Sequence, residues 1–291
     1  MAKQAWNGKT GGTHGMQSAL VSLIRHTDIR VAYGLMHLWL IWYIIVRRTE
    51  RHGSYLFHRR RGRTCIQAAL DVYRSFYHFG KAIIDRFAVY AGQPFDVQVE
   101  NRELYYGRVN DPQGFIMLFS HIGNAEMAGY FLPTPDKRMH ILAYGGESPV
   151  VLAHRAKVLE RNNIGLITVM PDDMSHIYRI SEVLQQGDVL TVAGDRCTND
   201  ATLTCTFMGA EAKFPAGVFQ ICVTMKQPVL LIFVIKEDHK TYRVYSEQLD
   251  INSALSRKEQ VQDLANRYAQ SMERIVMQYP YQWFNFYDFW S

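Results

Sequence analysis

Seven short apolar runs, separated by stretches long enough to hold a helix, constrain this chain more than any other feature. They cover residues 115–119, 139–143, 166–169, 189–192, 204–208, 229–235 and 242–245. Most are continuous rather than alternating, the pattern of strands covered on both faces. The pieces between them, such as residues 149–161, 174–186 and 215–226, have helical length and helical apolar spacing. Alternation of this kind predicts an α/β fold, with a mostly parallel central sheet flanked by helices. Such sheets bind ligands at the carboxyl ends of their strands, so the chemistry should follow the runs directly. Two places stand out: residues 120–126 behind FIMLF, and Gly194-Asp195-Arg196 behind VLTVA.

The 291 residues suffice for one large domain with a substantial core, and a composition 48% hydrophobic and 20% charged excludes a disordered chain. Four cysteines, Cys65, Cys197, Cys205 and Cys222, show neither a CxxC nor a zinc-like spacing, which points to a reducing compartment and away from a metal site or disulfide framework. The net charge of +5 is unevenly distributed. Residues 1–64 hold 11 Lys+Arg against 2 Asp+Glu, a local +9 that leaves −4 for the remainder. The chain therefore divides into a basic N-terminal segment, 1–64, and an α/β domain, 65–291.

Within the basic segment, residues 31–46 read VAYGLMHLWLIWYIIV, sixteen positions without a charge, followed by Arg47-Arg48 and by the run from Arg59 to Arg63. Sixteen residues fall short of the ~20 that cross a bilayer core, so a tilted span and an interfacial helix both fit. Trp39, Trp42 and Tyr43 beside arginines resemble a membrane–water boundary. By the positive-inside rule these arginines lie on the cytoplasmic side, where each gains about 1 kcal/mol from anionic lipid. The expectation is a membrane-associated helix with the α/β domain at the cytoplasmic face of the inner membrane. A nucleic-acid-binding arm is the weaker alternative, because such arms do not carry sixteen apolar residues.

The stretch Ser120-His121-Ile122-Gly123-Asn124-Ala125-Glu126 leaves a buried run and enters a helix ending near Phe131. Five helical steps of about 100° would separate His121 and Glu126 by ~140°, so the two meet only if His121 lies in the turn before the helix. Gly123 eases that turn. A carboxylate on one imidazole nitrogen fixes the tautomer and leaves the other nitrogen free to take a proton. The expected catalytic pair is thus His121 as general base with Glu126 behind it. Backbone N–H groups around Ile122 and Gly123 are expected to stabilise an oxyanion. A helix-capping histidine with a dipole-favoured glutamate would give the same pattern.

With these residues in place, the sequence resembles the lipid A late acyltransferases and, through them, the wider glycerophospholipid acyltransferases. The shared pattern is a His, four residues, then Asp or Glu, here His121 and Glu126. Further along, VLTVAGDR matches an apolar strand ending in GD, and Phe207-Met208-Gly209 with Phe214-Pro215-Ala216-Gly217 matches a Phe-x-Gly followed by a Pro-x-Gly at a helix start. A QWF-type aromatic tail closes the match. The resemblance implies transfer of a fatty acyl group from acyl carrier protein or coenzyme A to a hydroxyl or amine of a lipid-like acceptor. It implies no metal and no organic cofactor. Asp195, Arg196, Gly123, Pro215 and Gly217 would serve substrate binding or support the site. The family often carries a basic residue where this chain has Met170-Pro171-Asp172-Asp173-Met174, which argues against a phosphorylated sugar acceptor.

Arg155, Lys157, Arg161 and Lys213 could dock an acidic carrier protein. The tail from Tyr279 to Trp290 holds eight aromatics in twelve residues and should pack against the sheet with partial membrane contact. Two other functions remain open from sequence: a thioesterase using Ser120, weakened by the lack of a GxSxG elbow, and a catalytically silent lipid-binding scaffold.

Overall fold

In a computed structural model, residues 14–132, 134, 136–144, 163–169, 173–197 and 201–290 are described. The centre is a seven-stranded sheet in the order β1-β9-β8-β2-β5-β3-β4, comprising β1 (Asp96–Val99), β2 (Phe115–Phe119), β3 (Met139–Tyr144), β4 (Ile164–Val169), β5 (Val189–Ala193), β8 (Val229–Lys236) and β9 (Thr241–Gln248). Strands β8, β2, β5, β3 and β4 run parallel. β9 returns antiparallel to β8, and β1 runs alongside β9. The sheet is therefore mixed, mostly parallel, and flanked by helices, as expected for an α/β acyltransferase fold.

All eight residues of β8 are buried, which is why its sequence shows no alternation. The two-residue period appears in where the side chains go: Leu231, Phe233 and Ile235 enter one core, Leu230, Ile232 and Val234 the other. The first core is covered by α7 (Ser175–Gln185), α8 (Ala216–Met225) and α9 (Arg257–Gln278), the second by α5 (Arg102–Asn110) and α6 (Glu126–Phe131).

The run at 204–208 departs from expectation. It belongs to β6 (Thr202–Phe207), which among the described residues pairs only with β7 (Ala210–Pro215) in a separate antiparallel hairpin. Met208 and Gly209 form its two-residue turn with φ of +52° and +72°. Both central residues at positive φ are what a type I′ turn requires.

Residues 14–90 form four helices. α1 (His14–His26) precedes α2 (Ile29–Val46), α3 (Arg48–Arg60) and the long α4 (Cys65–Tyr90). Asp28 caps α2 by accepting from the Arg30 N–H at 2.8 Å, so the apolar helix has 18 residues, long and apolar enough to cross a membrane. Part of the arginine run is helical: Arg59 and Arg60 end α3, where cations meet the negative end of the helix dipole. α4 opens with a full capping box between Thr64 and Gln67. The expected helix at 149–161 lies outside the described residues, as do Arg155, Lys157 and Arg161.

Candidate active site

Parallel register brings the site together. Phe119 pairs with Ala193 at the ends of β2 and β5, and the Gly194 N–H donates to the Phe119 carbonyl at 3.0 Å. Two positions beyond the last pair, the strand exits hold His121 and Asp195 side by side. His121 Nδ1 lies 2.8 Å from Asp195 Oδ1, and the His121 backbone N–H donates to Asp195 Oδ2 at 2.8 Å. The carboxylate is buried at 3% side-chain exposure, whereas the imidazole is 32% exposed. Burial pushes the Asp195 carboxyl up, but the imidazole charge, the hydrogen bonds from His121 and the nearby Arg196 guanidinium outweigh it and hold the group below the ordinary carboxylate range. An ionised acceptor on Nδ1 keeps that nitrogen protonated and leaves Nε2 as the basic atom.

Two glycines make this geometry possible. A Cβ on Gly194 would lie 2.8 Å from the ring of Tyr268 on α9, whose hydroxyl donates to the Phe119 carbonyl at 2.9 Å. Gly123 has φ +68°, and a Cβ there would lie 2.0 Å from the Val234 carbonyl oxygen. That close approach lets the loop after His121 lie against β8.

Of the expected oxyanion donors, the Gly123 N–H is engaged elsewhere. The Gly123 N–H donates to the Gln282 carbonyl at 2.8 Å and the Asn124 N–H to the Val234 carbonyl at 2.7 Å. Ile122 is wholly buried and bridges antiparallel to Trp283. The reason is the aromatic tail, which forms one wall of the site: the Phe284 N–H donates to the His121 carbonyl at 2.9 Å, and Arg196 donates to the Phe284 carbonyl at 3.1 Å. Gln282 is itself fixed through both ends of its amide to the Lys236 backbone, at 2.9 and 2.8 Å. Trp283, Phe284, Asn285 and Phe289 are buried, while Tyr287 remains 40% exposed.

Glu126 is the main departure from the sequence expectation. It opens α6, with His121 in the preceding turn as expected, but its partners are Arg86 of α4, at 2.5 Å, and the Tyr130 hydroxyl, which donates at 3.2 Å. Among the described residues, the carboxylate hydrogen-bonded to His121 is that of Asp195. The structure thus sets Asp195, read from sequence only as support, in the place expected for Glu126. Arg86 was missed altogether, because nothing in the local pattern of α4 distinguishes it. Asn124 was missed as well: its side chain donates to the Ala82 carbonyl at 3.1 Å and to the Tyr242 hydroxyl at 3.3 Å, tying the loop to α4 and β9.

Pro215 is buried and caps α8, and Gly217 lies in that helix's first turn. Pro215 ends the hairpin and Gly217 follows it, and the hairpin touches the Asp195 segment where the Cys197 thiol meets the Lys213 carbonyl at 3.4 Å. Ser120 is 1% exposed, unavailable to a bulky substrate. The Phe119 ring, with its centroid 6.2 Å from that of His121, forms an apolar wall. A cavity of about 440 Å³ lies elsewhere, lined by Glu100, Tyr245, Glu247 and Arg274 among others. The pairing of Gln248 with Leu230 sets it toward the opposite end of the sheet, and it contains none of the expected site residues. Among the described residues, no group of three or more His, Cys, Asp or Glu side chains could hold a metal ion.

A histidine held by a buried carboxylate thus sits at a parallel-strand exit beside a Trp-Phe tail. The sequence model for bacterial lipid A biosynthesis acyltransferases matches residues 79–291. The chain belongs to that family. Comparison with curated proteins finds no match. For this lipid A biosynthesis acyltransferase family member, the matched region runs from the second half of α4 to the end of the chain and includes every expected site residue. Arg86, Asn124 and Tyr268 fall within it too.

Proposed function

We propose that this family member transfers a fatty acyl group from a thioester donor, acyl carrier protein or coenzyme A, to a hydroxyl or amine of a lipid-like acceptor at the cytoplasmic face of the membrane. His121 is the general base. The observation that carries this reading is the 2.8 Å contact between His121 Nδ1 and the buried Asp195 carboxylate, with the imidazole side chain 32% exposed.

In the proposed step the acceptor oxygen or nitrogen attacks the thioester carbonyl while its proton passes to His121 Nε2. The C–S bond then breaks as the C–O or C–N bond completes, and the imidazolium returns the proton to the departing thiolate. Asp195 fixes the tautomer at the start and stabilises the imidazolium during the step. General-base assistance of this kind supplies roughly 10²–10⁴-fold. Glu126, tied to Arg86, offers charge of both signs five residues from the base, suited to the polar head of the acceptor. Arg196, Gly123, Pro215 and Gly217 support the loops around it.

The thioesterase reading is disfavoured by the burial of Ser120. The scaffold reading is separated by experiment: lipids from cells expressing the protein, compared by mass spectrometry with cells expressing His121→Ala, should show a species heavier by one fatty acyl unit only with the unaltered chain. An unchanged lipid profile would leave the transferase reading without support.

A further inference from the structure

Helix α2 has two apolar faces, and the second of them faces outward. Ile29, Ala32, Tyr33 and Leu40 are buried against the protein. Leu35, Leu38, Trp39, Trp42 and Ile45 are between 48% and 75% exposed. At about 100° per residue these exposed apolar positions span an arc of roughly 120°, opposite the buried one. Monomeric proteins rarely leave a contiguous patch of this kind uncovered.

The inner face is held along the whole helix. The Tyr33 hydroxyl donates to the buried Asp85 of α4, the His37 ring stacks on Tyr77 with centroids 4.6 Å apart, and Tyr43 packs on Phe76 at 5.7 Å. Contacts run from Tyr33 against residue 85 to Tyr43 against residue 76, so the two helices lie antiparallel and side by side. α4 is itself fixed to the catalytic tail through Phe76 on Phe286 at 4.7 Å and Phe79 on Phe284 at 5.3 Å. Asp85 is also paired with Lys236 of β8 at 2.7 Å.

For α2 to cross a bilayer in this arrangement, the charged groups of α4 and β8 would have to enter the hydrocarbon with it, where no water satisfies them. The helix meets the length of a span with nothing to spare, 18 residues rising about 27 Å against a ~30 Å core. Its ends carry like charge: exposed Arg25 and Arg30 before and within the first turn, and exposed Arg47 and Arg48 at the other end. A span would strand one basic pair on each side of the membrane, whereas a helix lying flat presents both to one layer of headgroups. The apolar surface continues past the C-terminal end of α2. Ile66 and Leu70, 76% and 57% exposed, extend the α4 stripe that contains Tyr73 and Tyr77.

We propose that α2 lies in the plane of the membrane, with Leu38, Trp42 and Ile45 below the headgroups, Ile66 and Leu70 extending the embedded surface, and the flanking arginines on anionic lipid. The occupant of the exposed face is thus a lipid bilayer, and the catalytic domain sits on its surface. Trp39 and Trp42 fit the boundary between headgroup and acyl chain. The proposal rests on the membrane attachment of the preceding subsection and assigns its geometry.

Two measurements on the full chain test it. The first is flotation with vesicles of phosphatidylethanolamine containing or lacking phosphatidylglycerol. The unaltered chain should float with the anionic vesicles, and Leu38→Glu with Trp42→Glu should reduce the bound fraction at least tenfold. The second uses a chain with Cys65→Ser and Cys197→Ser, carrying either His26→Cys or Thr49→Cys, in sealed inside-out membrane vesicles from expressing cells. A membrane-impermeant maleimide should label both positions as fully without detergent as with it. If one position needs detergent, the helix spans and the in-plane arrangement is overturned while attachment survives. If the unaltered chain does not float, attachment itself fails. If the double glutamate variant floats normally, or the face proves to be covered by a second copy in solution, the bilayer is the wrong occupant.

Discussion

Asp195 holds His121 at two points, with one carboxylate oxygen on the ring nitrogen and the other on the backbone N–H of the same residue, each at 2.8 Å. The double contact fixes both the position of the residue and the tautomer of its ring. In Asp195→Asn, the backbone N–H demands the amide oxygen, which turns the NH2 group toward Nδ1 and makes that nitrogen an acceptor. The ring proton then moves to Nε2, the atom that must accept from the substrate. We expect kcat to fall by about 10²–10⁴ with little change in KM, measured by acyl transfer with purified protein in mixed micelles. A variant retaining a tenth or more of the activity would remove Asp195 from its role.

Glu126 and Arg86 make a separate prediction. Their ion pair is about one-third exposed on both sides, and such pairs contribute about 0–1 kcal/mol to stability. Glu126→Gln and Arg86→Gln should therefore shift Tm by only a few degrees, while raising KM for the acceptor more than they lower kcat. Should Glu126→Gln abolish kcat as completely as Asp195→Asn, the orienting carboxylate would be Glu126 after all.

Gly123 tolerates no side chain. Its φ of +68° and the Val234 carbonyl 2.0 Å from a built Cβ leave no flexible neighbour to move aside. Gly123→Ala should cost at least about 2 kcal/mol in chemical denaturation and displace the loop carrying His121. Wild-type stability in this variant would contradict the described loop.

Acid sensitivity should come from two buried histidines that pack against Tyr281 of the aromatic tail. Burial, the larger cause, together with the cations Arg61 for His58 and Lys81 for His78, pushes both rings down to about 4. Below the ordinary value of 6.5 the unfolded chain takes up protons that the folded chain refuses, so stability is complete above pH 6.5 and declines toward pH 4. Each ring contributes a slope of up to about 1.4 kcal/mol per pH unit in that window. His78, whose Nδ1 has no hydrogen-bond partner, can be replaced by Phe. The urea midpoint of His78→Phe should fall less between pH 7 and pH 5 than that of the unaltered chain, and parallel curves would refute the assignment.

The central strands were legible because continuous apolar runs leave little choice: 115–119 matches β2 residue for residue. β1 (DVQV) and β7 (AEAKFP) were not, since half their positions point into water and their polar content reads as loop. The site shows the same division. His121, and Asp195 as a residue just past a buried strand, could be read from local pattern alone. Which carboxylate serves His121 could not, because sequence proximity favours the acid five positions away, whereas parallel register delivers one 74 positions away. Arg86 and Tyr268 lie on helix faces that differ in no local respect from an ordinary amphipathic pattern.

The backbone ties from residues 282–284 to residues 121–123 span about 160 positions of chain. The loop after His121 is thus moored to a segment distant in sequence, so any change that loosens residues 282–284 also slackens the backbone on which the imidazole sits.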